Sequence, residues 1–312
     1  MKSNTIAPVA IKSRVKKGSV PVYVPFLFLI PAIILLTIFR YIPAFSAVYH
    51  SFTDWNGTSA SNWIGLEQYN NLFSDSVFLR SMQNIVVYTI TRTLLTTAMA
   101  IIGAELVYNL RSTQMRSVWR VVFTIPLVIP TTVVFLIWRR VYSGDIGLLN
   151  DTLRLFGLDG LTRAWLGNPD TALWALIFVG FPLISTFGFL VILAGLENLP
   201  QEVNSAALLD GCSRFHRVFA IDLPAMRGPL AFVAILSINA GLQEFAPMFI
   251  MTGGGGPVNA TQSPGLYLYQ QAITYGKYGY ASAIGTILML VTLAFSIFIL
   301  AARYRRAIDV EV

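Results

Sequence analysis

An all-α integral membrane protein with six spans is the fold class this sequence predicts, and three observations predict it. Hydrophobic residues make up 55% of the 312-residue chain and charged residues only 12%, against about 25% charged residues in an average soluble domain. The apolar residues fall in long runs without charge, such as 18–39, 121–138, 171–196 and 278–302, close to the roughly 20 residues a helix needs to cross the hydrocarbon layer. Many of the 22 Lys and Arg residues flank those runs, where such charges set topology. This composition excludes a disordered chain, which needs low hydrophobicity and high charge, and argues against an ordinary soluble enzyme. With a net charge of +7, a nucleic-acid binder is expected to cluster its basic residues on one face, whereas many of these sit beside the apolar runs. A single cysteine, Cys212, excludes an intrachain disulfide and a multi-cysteine metal site.

Residues 1–21 read as a basic arm carrying Lys2, Lys12, Arg14, Lys16 and Lys17. The first span covers about 22–49 and continues past a kink at Pro43. Its apolar run exceeds the roughly 7–15 residues of a secretory signal, so it reads as a retained helix. Arg40 is expected to snorkel to the outer interface. The second span, about 82–107, is interrupted by Arg92 and Glu105, and the third covers 119–138. The fourth, fifth and sixth cover 171–196, 229–251 and 278–302, within a membrane domain of 22–306 that leaves a tail of 307–312. Six spans put both termini on one side. That side holds five basic residues in the arm, then Arg111, Arg116 and Arg120, then Arg214, Arg217 and Arg227, then Arg303, Arg305 and Arg306, fourteen in all against six opposite. The bias predicts cytoplasmic termini.

The loops exclude several chemistries. The outside loops 54–79 and 139–170 are too short for a catalytic domain. Gly253–Gly256 is followed by Pro257 and lacks the Gly-Lys-Ser/Thr ending of a phosphate-binding loop, so it reads as a flexible turn after a helix, with a substrate-gating role as the alternative. His50 and His216 have no partner at zinc spacing, and no Gly-x-Ser-x-Gly elbow is present. The chain is expected to bind no cofactor of its own.

The most informative stretch is the cytoplasmic segment 198–224. Asn198 is a plausible N-cap, with Pro200 in the first turn and Gln201 at the third helical position. Helix to Asp210, a left-handed turn at Gly211 and a second short helix capped by Ser213 and ending before Pro224 follow from the residue types. Ala206 and Ala207 keep one surface small enough for a partner backbone to approach. A bland amphipathic linker has the same pattern.

Ser205-Ala206-Ala207-x-x-x-Gly211, nine residues, then Ile221-x-Leu223-Pro224 resembles the E-A-A-x-x-x-G-x(9)-I-x-L-P motif of permease subunits of bacterial ATP-binding-cassette importers. Asp210 before Gly211, and Leu199-Pro200, look like the version found in sugar importers. Ser205 departs from the motif's glutamate. Trp63-Ile64-Gly65-Leu66-Glu67-Gln68-Tyr69, Thr252 to Pro257, and Tyr278 to Ala283 are similar to other stretches of carbohydrate permeases. The resemblance implies a six-helix importer-type transmembrane domain with a cytoplasmic coupling helix in the bacterial cytoplasmic membrane. It implies a second, related permease, a pair of ATPase subunits that hold ATP and Mg, and an extracytoplasmic solute-binding protein. Ser205, Ala206, Ala207, Asp210, Gly211, Ile221, Leu223 and Pro224 would then seat on the ATPase.

Polar groups inside spans face the bundle interior or water. Asn84, Tyr88 and Arg92 share one helix face at i, i+4 and i+8, as do Asn239 and Gln243, with Glu244 and Phe245 adjacent. Amides, a carboxylate and an aromatic ring suit a sugar, and they equally suit hydrogen bonds between helices. An importer for a polyol or phosphorylated polyol is one alternative. A stand-alone secondary transporter is another, and it should not need the 198–224 segment.

Overall fold

The computed structural model describes residues 23–58, 61–182 and 185–308. The expected arm 1–21, the last four residues of the expected tail, and Leu183 and Ile184 of the expected fourth span lie outside the described residues. The described residues are helical apart from loops and one isolated bridge between Thr53 and Trp63, the expected all-α class.

The chain divides into two units, Met1–Ser46 and Ala47–Val312. In the first, α1 (Tyr23–Leu36) passes through a wide π turn (Thr37–Tyr41) into α2 (Ile42–His50), whose end belongs to the second unit. Phe26–His50 is a continuous apolar helix of 25 residues, long enough to cross a membrane. The π turn lies just before Pro43. It accommodates a residue that has no N–H to give the preceding turn.

In the second unit, α3 (Glu67–Ser74) leads to α4 (Ser76–Tyr108), the longest described helix at 33 residues. It extends the expected second span at its N-terminal end because Asp75 is a strong cap: its Oδ1 accepts from the backbone N–H of Val77 and Phe78 at 2.8 and 3.4 Å. Next come α5 (Thr113–Thr124), α6 (Thr131–Val141), α7 (Leu148–Leu155), α8 (Pro169–Ile177) and α9 (Thr186–Glu197). Then come α10 (Gln201–Leu209), α11 (Arg214–Arg217), a π turn (Val218–Asp222), α12 (Leu223–Ala225) and α13 (Arg227–Leu242). The chain ends in α14 (Ala246–Thr252), α15 (Pro264–Tyr269) and α16 (Tyr278–Ile308).

Three expected spans are not single helices. The third bends by 91° between Thr113–Val128 and Thr131–Val141, at Pro130, which disfavours helical backbone in the residue before it. The fourth is split into α8 and α9, and the fifth into α13 and α14. A further 74° bend separates Arg214–Ala225 from Arg227–Leu242. The uncharged runs measured apolarity correctly, but apolarity alone does not report a break in the backbone ladder.

α4 is the axis of the second unit. Its C-terminal half, through Ala100, Ala104 and Val107, packs with Phe189, Ile192, Leu193 and Leu196 of α9 and Val233 of α13. Its middle, through Ile85 and Tyr88, packs with Leu176 and Ile177 of α8, Met248 and Met251 of α14, and Leu266 of α15. At the N-terminal end Leu72 and Phe78 meet Tyr267 and Ile284. α13 approaches α4 so closely that a Cβ at Gly241 would lie 2.8 Å from Thr89 Cγ2, the small-residue crossing typical of membrane helices.

Asp75 also ties α4 to the end of the chain. Its Oδ2 accepts from Tyr267 Oη at 2.5 Å and Tyr280 Oη at 2.8 Å. Burial pushes the carboxyl up, and the hydrogen bonds from Tyr267, Tyr280 and the two backbone N–H groups outweigh it and hold the group below its ordinary value. A carboxyl held down in this way contributes stability above its ordinary pKa and loses it as the pH falls through the lowered value. Asp75→Ala should cost about 2 kcal/mol, because a cap and two phenol partners go together. Thermal unfolding in detergent checks this. Asp75→Asn should flatten the loss of wild-type stability below about pH 4.

Candidate functional site

Two polar constellations stand out, one at the helix breaks and one at the C-terminal end of α4. At the breaks, backbone groups lose their ladder partners and must find others. Arg92, on α4, lies beside the end of α8: its Nη1 donates to the carbonyls of Ile177 and Val179 at 2.5 and 3.0 Å, with Leu176 at 3.5 Å. A guanidinium is suited to this because it offers several donors and positive charge at a helix C-terminus. Glu244 serves the other break. Its Oε1 accepts from the N–H of Phe245 and of Ala246, both at 3.2 Å, at the start of α14.

Arg92 and Glu244 line the same space. Two cavities, of 160 and 720 Å³, share Tyr88, Arg92, Ser185, Ala240 and Glu244. Thr89, Thr93 and Thr96 of α4 add hydroxyls to the smaller one. Leu127, Phe135 and Trp138 of the bent third span form an apolar side of the larger. The site therefore offers opposite charges, hydroxyls and an aromatic wall around irregular backbone.

Of the six residues expected along a substrate path, Tyr88 and Glu244 line this space. Asn84 is buried and its Nδ2 donates to the carbonyls of Asn259 and Gln262, both at 3.0 Å, fastening the loop before α15 to α4. Gln243 Nε2 donates to Asn239 Oδ1 at 2.6 Å, and Gln243 is exposed, one residue before Glu244 at the same break. The Phe245 ring stacks against Tyr269 with centroids 6.4 Å apart. The hydroxyls of Thr89, Thr93, Thr96 and Ser185 carried no signal in the sequence beyond being uncharged polar residues within the spans.

In the 198–224 segment, Gly211 adopts φ +63°, the left-handed turn that closes α10, and Ser213 Oγ accepts from His216 N–H to start α11. Asn198 is not the N-cap. Its Nδ2 donates to Ala194 O at 2.8 Å and it ends α9, because the amide finds a free C-terminal carbonyl behind it, and α10 starts at Gln201. Ser205, Ala206, Asp210 and Gly211 are exposed, Ala207 is buried, and Ile221, Leu223 and Pro224 are half-buried. Leu209, Phe215 and Phe219 are exposed at 88, 82 and 70%. The i, i+4 spacing of the two phenylalanines was the available signal for this apolar patch.

A charge cluster fastens this segment to α4. Arg217 Nε lies 3.2 Å from Asp222 Oδ2, and Asp222 is buried. The Arg217 guanidinium also covers the Tyr108 ring at 5.5 Å, as that of Arg116 does at 5.8 Å. Arg116 Nη2 donates to Tyr108 O at 2.8 Å, and Glu105 is buried one turn earlier. Arg120 pairs with Glu197, joining α5 to the end of α9.

Residues 96–310 match the family described as binding-protein-dependent transport system inner membrane component. The chain belongs to that family. This permease is 35% identical over 276 residues to the probable ABC transporter permease protein YurN of Bacillus subtilis, covering 88% of this chain and 94% of the relative. It is 32% identical to the diacetylchitobiose uptake system permease protein NgcF of Streptomyces coelicolor, over 84% of this chain and 77% of that one. The fold is similar to a chain of a bacterial ABC transporter involved in importing the acidic polysaccharide alginate, with TM-score 0.79 and 21% identity over 91% of this chain and 96% of that one. The permease is thus a multi-pass transport component of the inner membrane.

Burial raises the Asp222 carboxyl above its ordinary value, and Arg217 opposes that. Arg217→Ala leaves a buried carboxylate without its cation and should cost about 3–5 kcal/mol at neutral pH. A carboxyl with a raised folded value costs stability above that value and returns it as the pH falls towards the ordinary one. Thermal unfolding of Arg217→Ala should therefore recover partly on acidification, and Asp222→Asn in the same chain should restore most of the loss.

Proposed function

We propose that this chain is one of two permease subunits of an ATP-driven importer that carries a sugar or oligosaccharide into the cytoplasm by alternating access. The observation that carries the reading is the break in the fifth span, where Glu244 caps α14 and lines the cavity that also holds Tyr88 and Arg92. Irregular backbone at membrane depth is tolerated where it lines a cavity, and broken helices mark binding sites in other transporter folds. Arg92 and Glu244 offset each other's charge, and with the hydroxyls and the aromatic wall they suit a polyhydroxylated solute. The relatives NgcF, MsmF of Streptococcus mutans and MalF of Thermococcus litoralis are named for diacetylchitobiose, multiple sugars and trehalose/maltose. Asn239 and Gln243 extend the path at the same break.

The second permease would close the open side of the larger cavity. Leu209, Phe215 and Phe219, with the turn at Gly211, form the apolar face that an ATPase groove would cover, and ATP and Mg²⁺ would sit on that separate subunit. ATP-driven closure then moves α10 to α12, and the Arg217 cluster passes the motion to the C-terminal end of α4. An extracytoplasmic binding protein delivers the solute at the opposite end, with both termini in the cytoplasm.

Glu244→Gln and Gln243→Ala should weaken uptake of the transported sugar about tenfold each, from loss of one hydrogen bond to a charged or amide group. Uptake by membrane vesicles at matched expression measures this, and wild-type affinity in both variants rejects the path. Phe215→Ser with Phe219→Ser should release the ATPase on purification. Gly211→Val, which forces a β-branched residue into left-handed backbone, should abolish solute-stimulated ATP hydrolysis. Unchanged coupling in both overturns the docking assignment.

A further inference from the structure

A separate cavity of about 650 Å³ opens at the N-terminal end of α4, and it shares no lining residue with the cavities that hold Arg92 and Glu244. Its volume lies within the roughly 300–1,000 Å³ of small-molecule sites. Three stretches build it: the loop after α2, the run from α3 to Asp75, and the chain from α15 to the start of α16. The 33 residues of α4 place it roughly 50 Å along the helix from the Tyr108 end, where the 198–224 segment is fastened.

The lining selects among ligand classes. Apart from Gly276, every lining side chain is aromatic, amide, carboxylate or lysine, and none is aliphatic. A lipid tail or an apolar peptide anchor therefore finds no matching surface. The two carboxylates are already engaged. Asp54 accepts from Asn62 N–H at 2.6 Å and Asn62 Nδ2 at 3.0 Å, and Asp75 accepts from two backbone N–H groups and two phenols. Their oxygens are not presented to a metal ion, and their charges disfavour an anion.

What remains is neutral hydrogen-bonding capacity beside aromatic faces. Gln271 is 6% exposed and lines the cavity, and its Oε1 has no donor. A buried acceptor without a partner is costly, and turning the amide toward the cavity that Gln271 lines would let it accept from a ligand hydroxyl. Gln271 is held in place because its carbonyl accepts from Lys277 N–H at 2.8 Å. Trp55 is equally fixed: its ring stacks on His50 at 4.1 Å, and its carbonyl accepts from Gly279 N–H at 2.8 Å. A Cβ at Gly279 would meet Thr53 O at 2.3 Å, so the close approach that forms this wall requires glycine. Asn71 and Tyr275 complete the amide and aromatic sides.

We propose that this cavity is a binding site for a neutral saccharide, distinct from the translocation path, with Gln271 and Asn71 bonding ring hydroxyls and Trp55 and Tyr275 packing on the C–H face. Lys277 lines the cavity and is exposed, which gives a local readout. The full chain, purified with its associated subunits in lipid nanodiscs, is exposed to an array of neutral mono- to tetrasaccharides. Acylation of Lys277 by an amine-reactive reagent is then followed by mass spectrometry. At least one saccharide should protect Lys277 saturably. Gln271→Leu and Asn71→Ala should each raise the half-saturating concentration about tenfold, the loss of one hydrogen bond. Glu244→Gln should leave the protection unchanged while uptake falls, so that this site and the path are judged separately. No protection by any saccharide, or equal protection in wild type and both variants, overturns the proposal.

Discussion

A helix broken inside a hydrocarbon layer exposes carbonyls at one end and N–H groups at the other, with no water to receive them. This permease has two such breaks in its apolar stretches, and a charged side chain serves each. Arg92 takes the carbonyls where α8 stops, and Glu244 takes the N–H groups where α14 starts. Each charge is held by the backbone it satisfies, and each charge also lines the central cavity. The groups that make broken spans tolerable are therefore the ones that make the cavity polar. A bundle of six unbroken helices would have needed neither.

α4 runs through the second unit. Its N-terminal end is clamped by Asp75 to Tyr267 and Tyr280, and its C-terminal end meets Arg116 and Arg217 at Tyr108. Between them, tight packing against α9 and α13 leaves little room for α4 to move independently of either. The 198–224 segment and the helix breaks thus contact the same continuous helix. The buried Arg217–Asp222 pair adds little net stability, since desolvation offsets attraction. The pair is local to the segment, and it holds the guanidinium that covers the Tyr108 ring of α4.

Much of the fold class was legible because apolar run length is a local property. The turn at Gly211 and the cap at Ser213 were legible for the same reason: each is decided by residues within four positions. The breaks were less legible. Prolines sit at all three, Pro130 at the bend, Pro182 between α8 and α9 and Pro247 in the first turn of α14, but a proline alone does not say whether a span kinks or breaks. Asn198 shows the limit of cap reading, since one amide can end the helix behind it or start the helix ahead.

By itself the sequence determined that the chain spans a membrane and that residues 198–224 form two short helices around a turn at Gly211, because hydropathy, glycine and caps act over one or two turns. The tertiary structure alone decided what each polar residue does. Asn84, Tyr88 and Arg92 share a helix face, yet Asn84 fastens a loop, Tyr88 and Arg92 line a cavity, and Arg92 also ends a neighbouring helix. Likewise Asp75 and Gln271 lie far apart in sequence and line one cavity only because the chain brings the start of α4 beside the stretch after α15. Which carbonyl, carboxylate or ring lies within 3 Å is a property of packing, and packing brings together residues that no local pattern relates.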